Sequence, residues 1–154
     1  EMFIQAANLK VAHIPYKGGA PMVPDLVEGR IQIGMLSSAV AAPLVDNKRL
    51  RALAVTTSRS VNNMASVPPL ANTIPGFNAA PALFLLAPKG TSEPIIKKLN
   101  SALHAALNDP SLMSYFAQNG ALPHVDTPEE LARTIIEESK RWKSIAISSG
   151  AAKQ

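Results

Sequence analysis

The chain has 154 residues, 47% of them apolar, enough for one ordinary domain or two small lobes around a buried core. Its formal charge of +4 is thinly spread, seven basic against four acidic residues through Ala79 and eight against seven from Ala80 onward, with no dense basic stripe, so nucleic acid is not an expected partner. The absence of cysteine excludes thiol catalysis, disulfides and thiolate metal sites, and no run approaches the ~20 apolar residues of a membrane span.

No charged start with an apolar signal core opens the chain at Glu1, so any export signal is expected outside this sequence. Met2, Phe3, Ala6 and Ala7 have helical spacing with no cap before them and read as the tail of a helix. Val11-Ala12-His13-Ile14 reads as a short buried strand closed by Pro15, and Tyr16-Lys17-Gly18-Gly19 as a loop. A helix is predicted from about Ala20, with Pro21 and Pro24 in its first turn and Gly29 at its end. Ile31, Ile33 and Met35 share one face of a second strand, Ser37-Ser38 caps a helix running to about Asn47, and Leu50 to Thr56 is a third strand. This alternation predicts right-handed parallel crossovers, hence an α/β fold whose strands share one set of carboxyl ends.

Ser58 to Asn78, rich in Ser, Asn and Pro and without a period, reads as a loop-rich connection. Leu83-Phe84-Leu85-Leu86 reads as a fully buried strand, and Pro88 to Ser92 turns into a helix with Pro94 in its first turn and an apolar stripe of Ile95, Ile96, Leu99, Leu103 and Leu107. Asp109-Pro110 starts another helix, bearing Leu112 and Phe116 and ended by Gly120. Thr127-Pro128-Glu129-Glu130 is a capping box opening a last helix that carries Leu131, Ile135, Trp142 and Ile145 toward a core and ends near Gly150.

In open α/β sheets ligands lie beyond the strand carboxyl ends, where helix N-termini offer unpaired N–H groups and partial positive charge. Two loops fit that rule: Tyr16-Lys17-Gly18-Gly19-Ala20, whose glycines admit a ligand to the backbone and whose tyrosine adds a hydroxyl, and Ser37-Ser38-Ala39. Both follow parallel strands and are expected to converge on one carboxylate. The competing structural reading makes Gly18-Gly19 a tight turn and the serines plain helix caps.

An enzyme reading would pair Ser37 or Ser38 with His13, but the chain has no Gly-x-Ser-x-Gly turn, and His13 in mid-strand reads as a core or sheet-face histidine. His104 and His124 read the same way, and no histidine pair has ligand spacing with a carboxylate, so no metal is expected. Glu129 and Glu130 cap a helix, Glu137 and Glu138 flank a solvated face, and no Gly-x-Gly-x-x-Gly or Gly-Lys-Ser/Thr loop calls for a cofactor.

Five segments in order, His13-Ile14-Pro15-Tyr16-Lys17-Gly18-Gly19-Ala20-Pro21, Asp25-Leu26-Val27-Glu28-Gly29, Leu50-Arg51-Ala52-Leu53-Ala54-Val55-Thr56, Leu86-Ala87-Pro88-Lys89-Gly90-Thr91 and Thr127-Pro128-Glu129-Glu130-Leu131, give the chain a resemblance to one family. It resembles the Bug, or tripartite tricarboxylate transporter (TctC-type), substrate-binding proteins, a branch of the type II periplasmic binding proteins. The resemblance implies a periplasmic two-lobe clamshell that closes on a small carboxylate and delivers it to membrane transporter subunits, without enzymatic activity. It implies that this chain is a C-terminal half, a partial α/β fold in which residues 1–80 form one ligand-binding lobe, with a parallel sheet flanked by helices, and 81–154 the C-terminal part of the other, the hinge crossing lying near Ala79 to Phe84. Both loops, Tyr16 to Ala20 and Ser37 to Ala39, match positions that face the family's cleft. Ala82 and Phe84 stand where the family often carries an aromatic and a glycine, which leaves dicarboxylates, tricarboxylates, acidic amino acids and aromatic acids all open as ligands. An isolated half is alternatively expected to be inactive and to dimerise or exchange strands through its uncovered surface.

Overall fold

Capping and proline signals place the helices. The structure, a computed structural model, describes residues 1–148, and among these are six α-helices: α1 (Met2–Ala6), α2 (Gly19–Val27), α3 (Ser38–Asp46), α4 (Glu93–Leu107), α5 (Pro110–Gln118) and α6 (Pro128–Ser148). The end expected for the last helix near Gly150 lies outside the described residues. Asp109 Oδ1 accepts the amides of Ser111 and Leu112 at 2.9 and 3.2 Å and caps α5 as expected. The capping box also forms: Thr127 N donates to Glu130 Oε2 at 2.9 Å and Glu130 N donates to Thr127 Oγ1 at 3.2 Å, which holds the Glu130 carboxyl below the usual carboxylate range. Pro24 departs from expectation: α2 begins at Gly19, so this proline falls inside the helix, where its ring removes one backbone donor.

The expected parallel sheet is a correction, for no ladder forms among the described residues. Their one β-pairing is a parallel bridge between Val55 and Pro69, in which Val55 N donates to Pro68 O at 2.9 Å and Leu70 N to Val55 O at 2.8 Å. A strand exists only where a neighbour about 4.8 Å away takes up its N–H and C=O groups, and an apolar pattern does not supply that neighbour. Val11, Ile14, Ile33, Met35 and Leu53 are accordingly more than half exposed, and Leu83, expected in a fully buried strand, is wholly exposed.

The chain divides into two compact units, one of Lys10–Ala80 with Ser114–Leu122 (the loop unit), the other of Glu1–Leu9, Pro81–Met113 and the residues from Pro123 onward (the helical unit). In the loop unit the core comes from the stretch expected to be mere connection. Val61, Met64 and Val67 are buried with Val55, and Ala41, Ala42 and Val45 of α3 pack on them. Short 3-10 turns at Asn62–Met64 and Leu70–Asn72 and the Ser60 hydroxyl, which donates to Val67 O at 2.9 Å, occupy this segment's backbone groups without any period. The segment after α5 closes the same unit. Ser38 Oγ donates to Asn119 O at 3.2 Å, and Gly120, at φ +66°, leaves no room for a side chain between Ser38 and Asn63.

The helical unit has no buried residue among those described. Leu131, Ile135 and Ile145 are half-buried, but Trp142, expected in a core, is exposed, and its Nε1–H donates to Glu138 Oε2 at 2.9 Å while the Arg141 guanidinium lies 5.5 Å from the ring centroid. Glu138, expected on a solvated face, thus holds two neighbours, Arg141 at 3.1 Å and Trp142. Asn100 Nδ2 donates to Asp126 O at 2.9 Å and ties the loop before α6 to α4.

A Cβ on Gly120 would lie 2.2 Å from Ser38 Oγ and 2.3 Å from Asn63 Oδ1, in a backbone conformation that L-residues rarely adopt. Gly120→Ala is therefore expected to destabilise the loop unit by about 1–3 kcal/mol. Urea unfolding with separate probes in each unit checks this, and an unchanged midpoint for the loop unit would contradict it.

Candidate functional site

Gly18 is the N-cap of α2 at φ 104° and ψ 178°, a region open in practice to glycine alone. Tyr16-Lys17-Gly18 thereby enters α2 with no side chain on either of the two residues flanking the first turn, and the amides of that turn have no intrahelical acceptor. Helix α2 lies directly on the segment that leads to α3. An added Cβ on Gly34 would meet Leu26 Cδ2 at 3.0 Å and Met22 at 3.1 Å, and one on Gly19 would meet Leu36 Cδ2 at 3.1 Å. The first residue of α2 is thus a direct neighbour of Leu36, one position before the N-cap of α3.

Ser37, that N-cap, is extended at φ −63° and ψ 146°, and its carbonyl accepts the amides of Val40 and Ala41 at 3.0 and 2.9 Å. Its hydroxyl, expected to cap α3, makes no capping bond and is exposed. The two serines therefore differ. Ser38 is half-buried and spends its hydroxyl on Asn119 O, whereas Ser37 and Ala39 stand at the surface with Lys17, Gly18 and Ala20. Concavities open on the surface of the loop unit. Ala39 lines one of them with Asn62, Asn63 and Asn119, and Arg49, Arg51 and Ser66 line another; the Tyr16–Ala20 loop lines neither of these two.

Tyr16 is half-buried and its hydroxyl donates to Asp25 Oδ2 at 2.6 Å. The other oxygen of Asp25 accepts Arg30 Nε at 2.7 Å, and Arg30 also engages Glu28. The phenol's hydrogen bond, reinforced by Arg30, holds the Asp25 carboxyl below the usual carboxylate range, and the same bond raises the Tyr16 phenol above its ordinary value. Sequence reasoning missed Asp25, Arg30, Gly34 and Asn119. The signal for Asp25 was present: a carboxylate nine residues after a tyrosine and five before an arginine, across one short helix.

The histidines do not assemble a centre. His13 is exposed, His124 Nδ1 lies 3.1 Å from Asp126 Oδ1, and His104 Nε2 lies 3.4 Å from Asp126 O. Among the described residues no three His, Cys, Asp or Glu side chains gather as metal ligands, and no helix is long and apolar enough to cross a membrane.

The two glycines should respond differently to alanine. Nothing lies within 4 Å of a Cβ on Gly18, so Gly18→Ala pays for backbone strain alone, about 1–3 kcal/mol, while Gly19→Ala asks Leu36 to move a few tenths of an ångström and should cost less. Thermal unfolding of the pair checks the order, and equal losses would contradict it.

The chain is similar to BugT of Bordetella pertussis, 32% identical over 152 residues that make up 98% of this chain and 47% of BugT. It is also similar to a protein of the clcB-clcD intergenic region of Pseudomonas knackmussii, 31% identical over 143 residues, 92% of this chain and 85% of that protein. A solved structure described as a periplasmic transporter superimposes with a TM-score of 0.82 at 31% identity, over 96% of this chain and 50% of that one. The periplasmic binding protein BugD superimposes with a TM-score of 0.74 at 25% identity, over 97% of this chain and 51% of its own. The chain therefore spans about half the length of BugT and of both solved structures, and its backbone follows that of half a periplasmic binding protein. Because residues 1–150 match the tripartite tricarboxylate transporter family receptor (TctC), the chain belongs to that family.

Proposed function

We propose that this chain is the ligand-capturing part of a periplasmic solute-binding protein, which takes up a small carboxylate without chemical turnover and passes it to the membrane subunits of a tripartite-type transporter. The ligand class is a dicarboxylate, a tricarboxylate, an acidic amino acid or an aromatic acid. The observation that carries the reading is the contact of Gly19 with Leu36, which makes the first turn of α2 a neighbour of the residue preceding the α3 cap. Two helix N-termini with exposed small residues, Gly18 and Ala20 on one and Ser37 and Ala39 on the other, offer amide donors and partial positive charge to one anion. Lys17 is exposed beside them and enters no ion pair among the described residues, so it adds a full positive charge. Membership in the receptor family supports both the transport role and the compartment.

In this reading residues 1–80 and 81–154 belong to the two lobes of a clamshell. The unit boundary between Ala80 and Pro81 supports that division, with Ser114–Leu122 returning to the first unit and Glu1–Leu9 grouping with the second.

Isothermal calorimetry on the full-length protein with succinate, citrate, glutamate and benzoate should give saturable heat for at least one acid, weakened by Gly18→Ala. Absence of heat across the panel would overturn the carboxylate reading. The exposed run Leu83-Phe84-Leu85-Leu86 supports a further expectation for the isolated 154-residue chain, self-association by pairing with a second copy. Size-exclusion chromatography over rising concentration reads this, and a concentration-independent monomer would exclude it.

A further inference from the structure

We propose that Asp25 is the positioning residue of the ligand site and that Tyr16 serves it as a clamp rather than as a ligand donor. The inference deepens the carboxylate-binding reading above and rests on it. A phenol has one O–H to give, and Tyr16 gives it to Asp25 Oδ2 at 2.6 Å, a length typical of a bond to an ionised acceptor. What remains on the Tyr16 oxygen is acceptor capacity, which a carboxylate ligand does not use.

Asp25 sits where it can bind both ends of α2 at once. Its carboxylate takes the Tyr16 hydroxyl from the loop that enters the helix and Arg30 Nε, at 2.7 Å, from the segment that leaves it. Its backbone carbonyl accepts the amides of Arg30 and Ile31 at 2.8 and 3.3 Å, and Ile31 is one of the few buried residues of the loop unit. One residue therefore ties the entering loop to an anchored exit. Tyr16 precedes Gly18 by two positions, and with no side chain on Gly18 or Gly19 the chain has little else to fix the aim of their amides. Charge follows the same division. Arg30 is engaged by Asp25 and Glu28 and is not offered to an incoming anion, which leaves Lys17 as the cation of this loop for the ligand.

The two roles for Tyr16 separate in the unliganded protein. Amide hydrogen exchange on the full-length protein, compared for wild type, Tyr16→Phe, Asp25→Ala and the double variant, should show exchange at Val23, the α2 amide whose helical acceptor is Gly19 O, faster by roughly fivefold in each single variant, with α3 amides such as Ala41 unchanged. The double variant should exchange no faster than the Asp25 variant alone, because that substitution already removes the only bond that Tyr16→Phe takes away. In calorimetry with whichever of succinate, citrate, glutamate and benzoate binds the wild type, both single variants should lose affinity by a similar factor. Unchanged exchange in Tyr16→Phe together with weakened binding would make Tyr16 a direct ligand donor and overturn the clamp. Fully additive exchange effects would overturn it as well, as would faster exchange in Tyr16→Phe with unaltered affinity. If none of the four acids binds the wild type, the carboxylate reading fails, while exchange still decides whether Asp25 holds the loop.

Discussion

Two absent side chains let α2 lie on the 34–36 segment, and the geometry of the loop unit follows from that approach. A Cβ at Gly34 or Gly19 would come within 3.0 to 3.1 Å of Leu26, Met22 or Leu36, so the helix is seated as closely as its own side chains allow. The seat determines where Leu36 ends and Ser37 begins, and hence where α3 starts. From there Ala41, Ala42 and Val45 reach Val55, Val61, Met64 and Val67, the unit's buried cluster. Gly19 thus belongs both to the candidate loop and to the close packing of α2.

Sequence signals were legible where the physics is local. Asp109 before Pro110, the Thr127 to Glu130 box and Pro94 near the start of α4 satisfy or tolerate a helix end within one turn, and each held. Strands were illegible for the opposite reason: the segments around Val11, Ile33, Leu53 and Leu83 have the composition of strands, but pairing depends on a neighbour no pattern within them specifies. Ser58 to Asn78 misled in another way, since irregular turns bury Val61, Met64, Val67 and Phe77 at spacings that follow neither the helical nor the strand period. The small residues of both candidate loops stand out in the sequence because the amide donors proposed for them are carried by backbone. The spacing of Asp25 from Tyr16 and Arg30 stands in the sequence but does not single it out, because a carboxylate in a short helix reads as solvated until its partner on the preceding loop is seen.

The two units are stabilised by different means. The loop unit has an apolar cluster, so its order rests on burial that salt and modest acid do not remove. The helical unit, with no buried residue among those described, relies on helix caps, the Asn100 bond to Asp126 and the Glu138 grouping with Arg141 and Trp142. Exposed interactions of that kind contribute little each, and the apolar side chains of α4 and α6 that face solvent, Ile95, Leu99, Ile136 and Ile147, leave burial unused.

The bond from Ser38 to Asn119 crosses 81 positions of chain, and Gly120 fits between Ser38 and Asn63 at the same point. On a ribosome the N-terminal part of this unit emerges well before the stretch that completes it. The buried cluster of residues 41–67 is complete by then, whereas the Ser38–Asn119 bond and the seat of Gly120 form only after the C-terminal side of α5 has been synthesised, since this contact requires ordering a long loop. The order of synthesis thereby gives the start of α3 its backing from Asn119 late, after the rest of the Lys10–Ala80 stretch has been made.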